Sequence, residues 1–144
     1  MLPLGRDAWS YRSPVTSYAP QADGDPDPGE VVWGWVPYEE DPGQGKDRPV
    51  LLIGRTEVDG GEYWAGLMLT SKDHDRDAED EARYGRYWLD IGSGDWDAER
   101  RPSEVRLDRL VILRTDAIRR EGAAVPREVF DRVLAAAQEH HAVD

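Results

Sequence analysis

The sequence predicts an α+β domain, mainly β: a small, curled antiparallel sheet of five strands with a few short helices at one side. Three observations lead there. A content of 14 Gly and 10 Pro against one Phe and two Met suits short strands and tight turns better than a helix bundle. Five runs rich in β-branched and aromatic residues are separated by turn signals. A helical period is confined to the C-terminal part of the chain. Strands that precede helices, instead of alternating with them, favour a curled sheet or barrel flanked by helices.

Residues 1–28 hold Pro, Ser, Gly and Asp without a sustained period and end in Asp23-Gly-Asp-Pro-Asp-Pro28. They read as an N-terminal arm, either mobile or pinned to the domain by Trp9, Tyr11 and Tyr18. The domain occupies 29–144. Its first strand covers 30–36 and is closed by Pro37. A polar turn over 39–47 leads to a second strand at 49–54. Asp59-Gly-Gly61 marks a hairpin before the third strand, 63–69. Residues 72–86 form a charged loop with six carboxylates, a solvated segment by its charge density. The fourth strand is 87–91, Ser93-Gly-Asp95 turns the chain, and 104–113 is the fifth and longest. Thr115 is placed to cap a short helix ending at Gly122, with Ile118 as its apolar contact. Pro126 suits the first turn of the last helix. There Val129, Phe130, Val133, Leu134 and Ala137 recur at i, i+3/i+4 spacing, as a core or dimer stripe.

The formal net charge of −12 argues against a protein that coats nucleic acid unaided, because phosphate binding is driven by Lys and Arg. A nuclease is permitted only where basic residues gather at one site. No apolar run approaches the ~20 residues of a membrane span, and the first residues lack the apolar stretch of a signal peptide. A soluble, cytoplasmic protein with no membrane contact is therefore expected. Cysteine is absent, which excludes disulfides and thiolate metal sites. No cofactor and no metal are expected, since there is no Gly-rich phosphate loop and no His-Glu-x-x-His. Asp73, Asp75 and Asp77 also lack the Gly and the closing Glu of a calcium loop. His140 and His141 read as solvated or as helix-end charges. His74 reads as an exposed side chain or as an auxiliary acid or base.

Chemistry concentrates in the fifth strand. In Val105-Arg-Leu-Asp-Arg-Leu-Val-Ile-Leu113, alternation puts Arg106, Asp108, Leu110 and Ile112 on one face. An Arg and an Asp then stand at one end of a face whose other end is apolar. Such a face is either the rim of a cleft or an ion pair on a solvated sheet.

Several segments, in order, resemble the PemK/MazF family of toxins. Pro28-Gly-Glu-Val-Val-Trp33 is similar to the family's opening strand, and Lys46-Asp-Arg-Pro-Val-Leu-Leu-Ile53 to its Arg-Pro second strand. Gly66-Leu-Met-Leu-Thr-Ser71 is similar to a third strand ending in Thr or Ser. Val105-Arg-Leu-Asp108 and Ile118-Arg-Arg-Glu-Gly122 resemble the later strand and the helix after it. The likeness covers about residues 28–137. It implies a five-stranded SH3-like barrel that forms a homodimer and cuts single-stranded RNA without metal. It also implies a cognate antitoxin whose tail fills the RNA groove, with operator DNA reached only through that antitoxin.

By the same resemblance Arg48, Thr70 and Asp108 are catalytic, and Arg106 and Ser71 bind substrate. Arg48 would stabilise charge or donate a proton, Thr70 would hydrogen-bond a phosphate oxygen, and Asp108 would act as base. Each also has a plain alternative: a strand-start Arg, a Thr closing a turn, and an Asp neutralising Arg106 or Arg109. The acidic turn at Glu39, Glu40 and Asp41 and the acidic loop depart from the family pattern. They leave open a catalytically inactive barrel that binds protein or DNA.

Overall fold

A computed structural model describes residues 15–16, 27–71 and 87–140. The expected charged loop with His74, the helix-end His141, and Trp9, Tyr11 and Tyr18 of the arm lie outside the described residues. The strands are β1 Val15–Thr16, β2 Glu30–Pro37, β3 Gly45–Val58, β4 Gly61–Thr70, β5 Trp88–Gly92, β6 Ser103–Arg106, β7 Val111–Leu113 and β8 Arg119–Ala124. A 3-10 turn spans Thr115–Ala117, and the helix among the described residues, α1, spans Arg127–Ala137. Pairing is antiparallel throughout. The hydrogen-bonded order is β5-β6-β4-β3-β2-β8, with β7 also on β4 and β1 on β3. Among the described residues the outer strands β5 and β8 do not pair with each other. The sheet is therefore open, in place of the closed five-stranded barrel expected from the sequence. No described helix is long and apolar enough to cross a membrane.

The centre is the β2-β3-β4 meander. Val50, Leu51, Leu52 and Ile53 of β3 are all buried, as befits a continuous apolar run covered on both faces. Leu51 and Ile53 join Val31, Leu67 and the helix residues Phe130 and Val133 in one core. Val50 and Leu52 join Val32, Trp64 and Met68 in a second core on the opposite face. The β3–β4 hairpin turns at Asp59 and Gly60, with φ of 50° and 81°, the two successive left-handed residues that a tight type I′ turn requires. Gly66 allows β3 and β4 to approach closely: a Cβ there would stand 2.4 Å from Val50 Cγ1 and 2.8 Å from the Leu51 carbonyl oxygen.

The fifth expected strand is broken. Leu69 pairs with Val105 and Gly66 with Val111, so three steps along β4 face six along the partner. The surplus of three residues bulges out as a bend between β6 and β7 and reverses the alternation. Val105 and Leu107 before the bend, and Leu110 and Ile112 after it, all reach the same core. The single face running from Arg106 to Ile112 therefore does not exist.

The expected helix ending at Gly122 is also corrected. Only Thr115–Ala117 coils, and Arg119–Ala124 pairs with β2. Ala123 faces Val31 while Arg120 faces Val32, so Glu121 and Gly122 form a two-residue bulge. A glycine read as a helix stop is here a bulge glycine, and the edge of β2 gains a partner. The last helix keeps its expected stripe: Phe130, Val133 and Ala137 are buried, with Val129 and Leu134 packed beside them. Burying Phe130 and Val133 contributes roughly 1.5–3 kcal/mol each.

Candidate functional site

β3 and β4 are paired from Val58↔Gly61 to Val50↔Met68. There they part. β3 continues to Gly45 against β2 alone, while Leu69 and Thr70 of β4 pair with β6. A cleft of about 590 Å³ opens at this fork. Lys46, Asp47, Arg48 and Pro49 line it from β3, with Trp33 of β2 beside them. Leu69, Thr70 and Ser71 line it from the end of β4. The loop between β5 and β6, from Trp96 to Arg101, supplies the remaining wall together with Ser103. Val50 and Met68 share one face of the sheet. Two residues further on, Arg48 and Thr70 therefore stand across the fork on that same face.

Three cationic and three anionic side chains line the cleft, but the carboxylates are engaged. Asp47 pairs with Arg119 at 2.8 Å. Asp97 and Glu99 approach the same Nε of Arg101, at 2.9 and 3.2 Å. Among the described residues Lys46 and Arg48 have no ion-pair partner.

The loop wall is anchored in the core. Trp96 is buried there and its indole N–H donates to Ser103 Oγ at 3.0 Å. The ring lies so close to Gly94 that a Cβ at that position would meet it at 2.1 Å. Asp97 then organises the turn. Its Oδ1 accepts the Glu99 N–H at 2.9 Å, and its carbonyl accepts the Arg100 N–H at 2.9 Å. Arg100 takes φ 52°, and its side chain pairs with Asp95. Desolvation pushes the Asp97 carboxyl up, but the Glu99 N–H and the Arg101 guanidinium outweigh it and hold it below the usual carboxylate range.

Arg106 and Asp108 lie outside the cleft lining, in a neighbouring cluster. The Arg106 side chain is 5% exposed. Its Nε donates to both Asp108 oxygens at 3.2 Å. Its Nη2 donates to Asp108 Oδ2 at 2.8 Å and to Glu39 Oε2 at 2.9 Å, and its Nη1 donates to Glu39 Oε1. Asp108 Oδ1 also accepts the Tyr87 N–H at 2.7 Å. Burial alone would lower the pKa of Arg106, but the bonds to Glu39 and Asp108 prevail and raise it. Next to it, Arg109 donates from Nη2 to the Pro37 carbonyl at 2.6 Å, while its buried Nε has no hydrogen-bond partner among the described residues. Burial lowers its pKa; Glu39 opposes this, and the charges of Arg106 and Arg48 add to it.

The structure thus brings Arg48, Thr70 and Ser71 together, and sets Arg106 and Asp108 with each other. Sequence reasoning missed Trp96, Asp97, Glu99 and Arg101. The available signal was the run Asp95-Trp-Asp-Ala-Glu-Arg-Arg101 between Gly94 and Pro102, a charged loop with one large aromatic to anchor it. Among the described residues no three His, Asp or Glu side chains are arranged to hold a metal ion. Among the described residues the cleft offers two cations without an ion pair, Lys46 and Arg48, and the hydroxyls of Thr70 and Ser71, groups suited to the oxygens of a phosphodiester.

No curated protein and no solved structure matches the chain at a significant level. A family model described as PemK-like, MazF-like toxin of type II toxin-antitoxin system matches residues 27–141, most of the chain, and the protein belongs to that family.

Proposed function

We propose that the chain is the toxin of a type II toxin–antitoxin pair and acts as a metal-independent endoribonuclease on single-stranded RNA. The observation that carries this is Arg48, set across the fork from Thr70 and Ser71, with no carboxylate of its own among the described residues. A ribose 2′-OH loses its proton to a base and attacks the adjacent phosphorus. The bond to the 5′ oxygen breaks and that oxygen is protonated, leaving a cyclic phosphate and a free 5′-OH. Arg48 stabilises the charge on the phosphorane or supplies that proton, and Thr70 and Ser71 hydrogen-bond its oxygens. Asp108 is the proposed base. Its oxygens are engaged by Arg106 and the Tyr87 N–H, so it reaches substrate only when that clamp opens, and Arg106 reaches a phosphate on the same condition.

The assembly is proposed as a cytoplasmic homodimer of the curled-sheet domain 29–144, with 1–28 as an arm. An antitoxin segment covers the cleft, and operator DNA is met only through that antitoxin. The engagement of Asp108 by Arg106 favours a second function, a catalytically inactive domain that binds protein or DNA. The deciding experiment incubates purified protein with a mixed RNA pool in EDTA. New ends bearing cyclic phosphate and 5′-hydroxyl are expected, and expression is expected to arrest growth. Intact RNA across the pool would leave the binding function in its place.

A further inference from the structure

Arg101 is held in an unusual way for an exposed arginine. Both of its carboxylate neighbours, Asp97 and Glu99, approach Nε, the inner nitrogen of the guanidinium. The two terminal nitrogens have no partner among the described residues. The side chain is 56% exposed, whereas Asp97, which holds it, is only 12% exposed. Asp97 is fixed in turn by the Glu99 N–H, and the whole turn hangs from Trp96 in the core. The guanidinium therefore points its open fork away from a rigid support, and the support neutralises none of that fork's hydrogen-bonding capacity. Arg101 lies on the loop wall of the cleft, while Arg48 and Lys46 lie on the β3 wall.

A planar fork with two parallel N–H groups matches two oxygens of one phosphate. We infer that Arg101 is a second phosphate-binding residue of the cleft, gripping a backbone phosphate of the same single strand that Arg48 engages from the opposite wall. Asp97 and Glu99 are its positioning residues. The assignment rests on the RNA function proposed for the cleft and adds to it a second anchor, which sets the path of the strand between two walls. The lining balances three cations against three carboxylates, and the strand meets a cation from each of two walls.

The test uses full-length protein and single-stranded RNAs of varied sequence with every 2′-OH methylated, so that binding is read without cleavage. Dissociation constants are measured between 50 and 200 mM salt for wild type, Arg101→Gln and Arg101→Lys. Arg101→Gln is expected to weaken binding about tenfold, evenly across sequences. It should also flatten the slope of log K against log salt by about 0.7, the share of one single-strand phosphate. Arg101→Lys should restore the slope and only part of the affinity. A change in melting temperature with an unaltered slope would mean that Arg101 only braces its loop, and would overturn the inference. Loss confined to guanine-containing RNAs would overturn it in favour of base readout. If wild type binds none of these RNAs, the RNA function of the cleft itself falls. If wild type binds and Arg101→Gln matches it, only the second anchor falls.

Discussion

Arg48 and Arg106 carry the same group to opposite ends. Arg106 is buried and spends its donors on Glu39 and Asp108, whereas Arg48 faces the cleft with no counter-ion among the described residues. Removing them should therefore have separable effects. Arg48→Ala is expected to lower the single-turnover rate of RNA cleavage roughly 10²-fold or more, as loss of a charge-stabilising donor does. Its melting temperature should stay at the wild-type value. Arg48→Lys should recover part of the rate, because an ammonium cannot reproduce the fork. Arg106→Ala should instead destabilise the fold by about 3 kcal/mol in urea unfolding, since it strands Asp108 in a largely buried position. Glu39→Gln, at a side chain 45% exposed, should cost about 1 kcal/mol or less. Equal stability losses for Arg106→Ala and Glu39→Gln would contradict this picture.

At the scale of elements, the loop from β5 to β6 stores a pH dependence. The folded-state pKa of Asp97 is held down, so its contribution is fully present above the unfolded value of about 3.9. It is lost as pH falls through the lower folded value. Melting temperatures taken from pH 7 to 2 should therefore drop below about pH 4, and Asp97→Asn should flatten that drop. An identical acid profile in the variant would rule the assignment out. The elements also divide by how legible they were. Helix α1 could be read from one stretch of chain, because the spacing of Phe130, Val133 and Ala137 and the position of Pro126 are local facts. β3 was legible for the same reason, through its apolar run at 50–53. The bend after Arg106 was not, because it arises from β4 pairing with two strands whose registers differ by three residues. β8 was not either: Gly122 carries a helix-stop signal, and only the unpaired edge of β2 turns it into a bulge. The cleft followed the same rule. Arg48, Thr70 and Ser71, named from family-like strand motifs, line it, while Arg101 joins the lining through a loop that folds around Trp96.

For the whole molecule, the charge of −12 repels RNA at long range, so any attraction is local to the cleft. The second core is sealed within one chain, with no member more than 6% exposed. A dimer would thus draw on surface such as Trp35 and Tyr87, the large apolar side chains that stand exposed among the described residues. Light scattering at tens of micromolar is expected to give twice the 16.3 kDa chain mass, and a single chain mass would reject the dimer.

The fork between β3 and β4 has one more consequence. Its two tines are hairpins, β2–β3 and β5–β6, joined at the root by β4. The tip of the first is the turn at 38–44, closed by the Tyr38 N–H to Gln44 carbonyl bond. From that tip Glu39 reaches across to Arg106 on the other tine. Arg106 sits at the base of its own hairpin, level with Met68 where the fork opens, so the ion pair draws the tip of the first tine back toward the root. The posture of the β2–β3 hairpin thus leans on a residue that lines no part of the cleft, and Glu39→Gln should let that hairpin swing without altering any side chain in the walls.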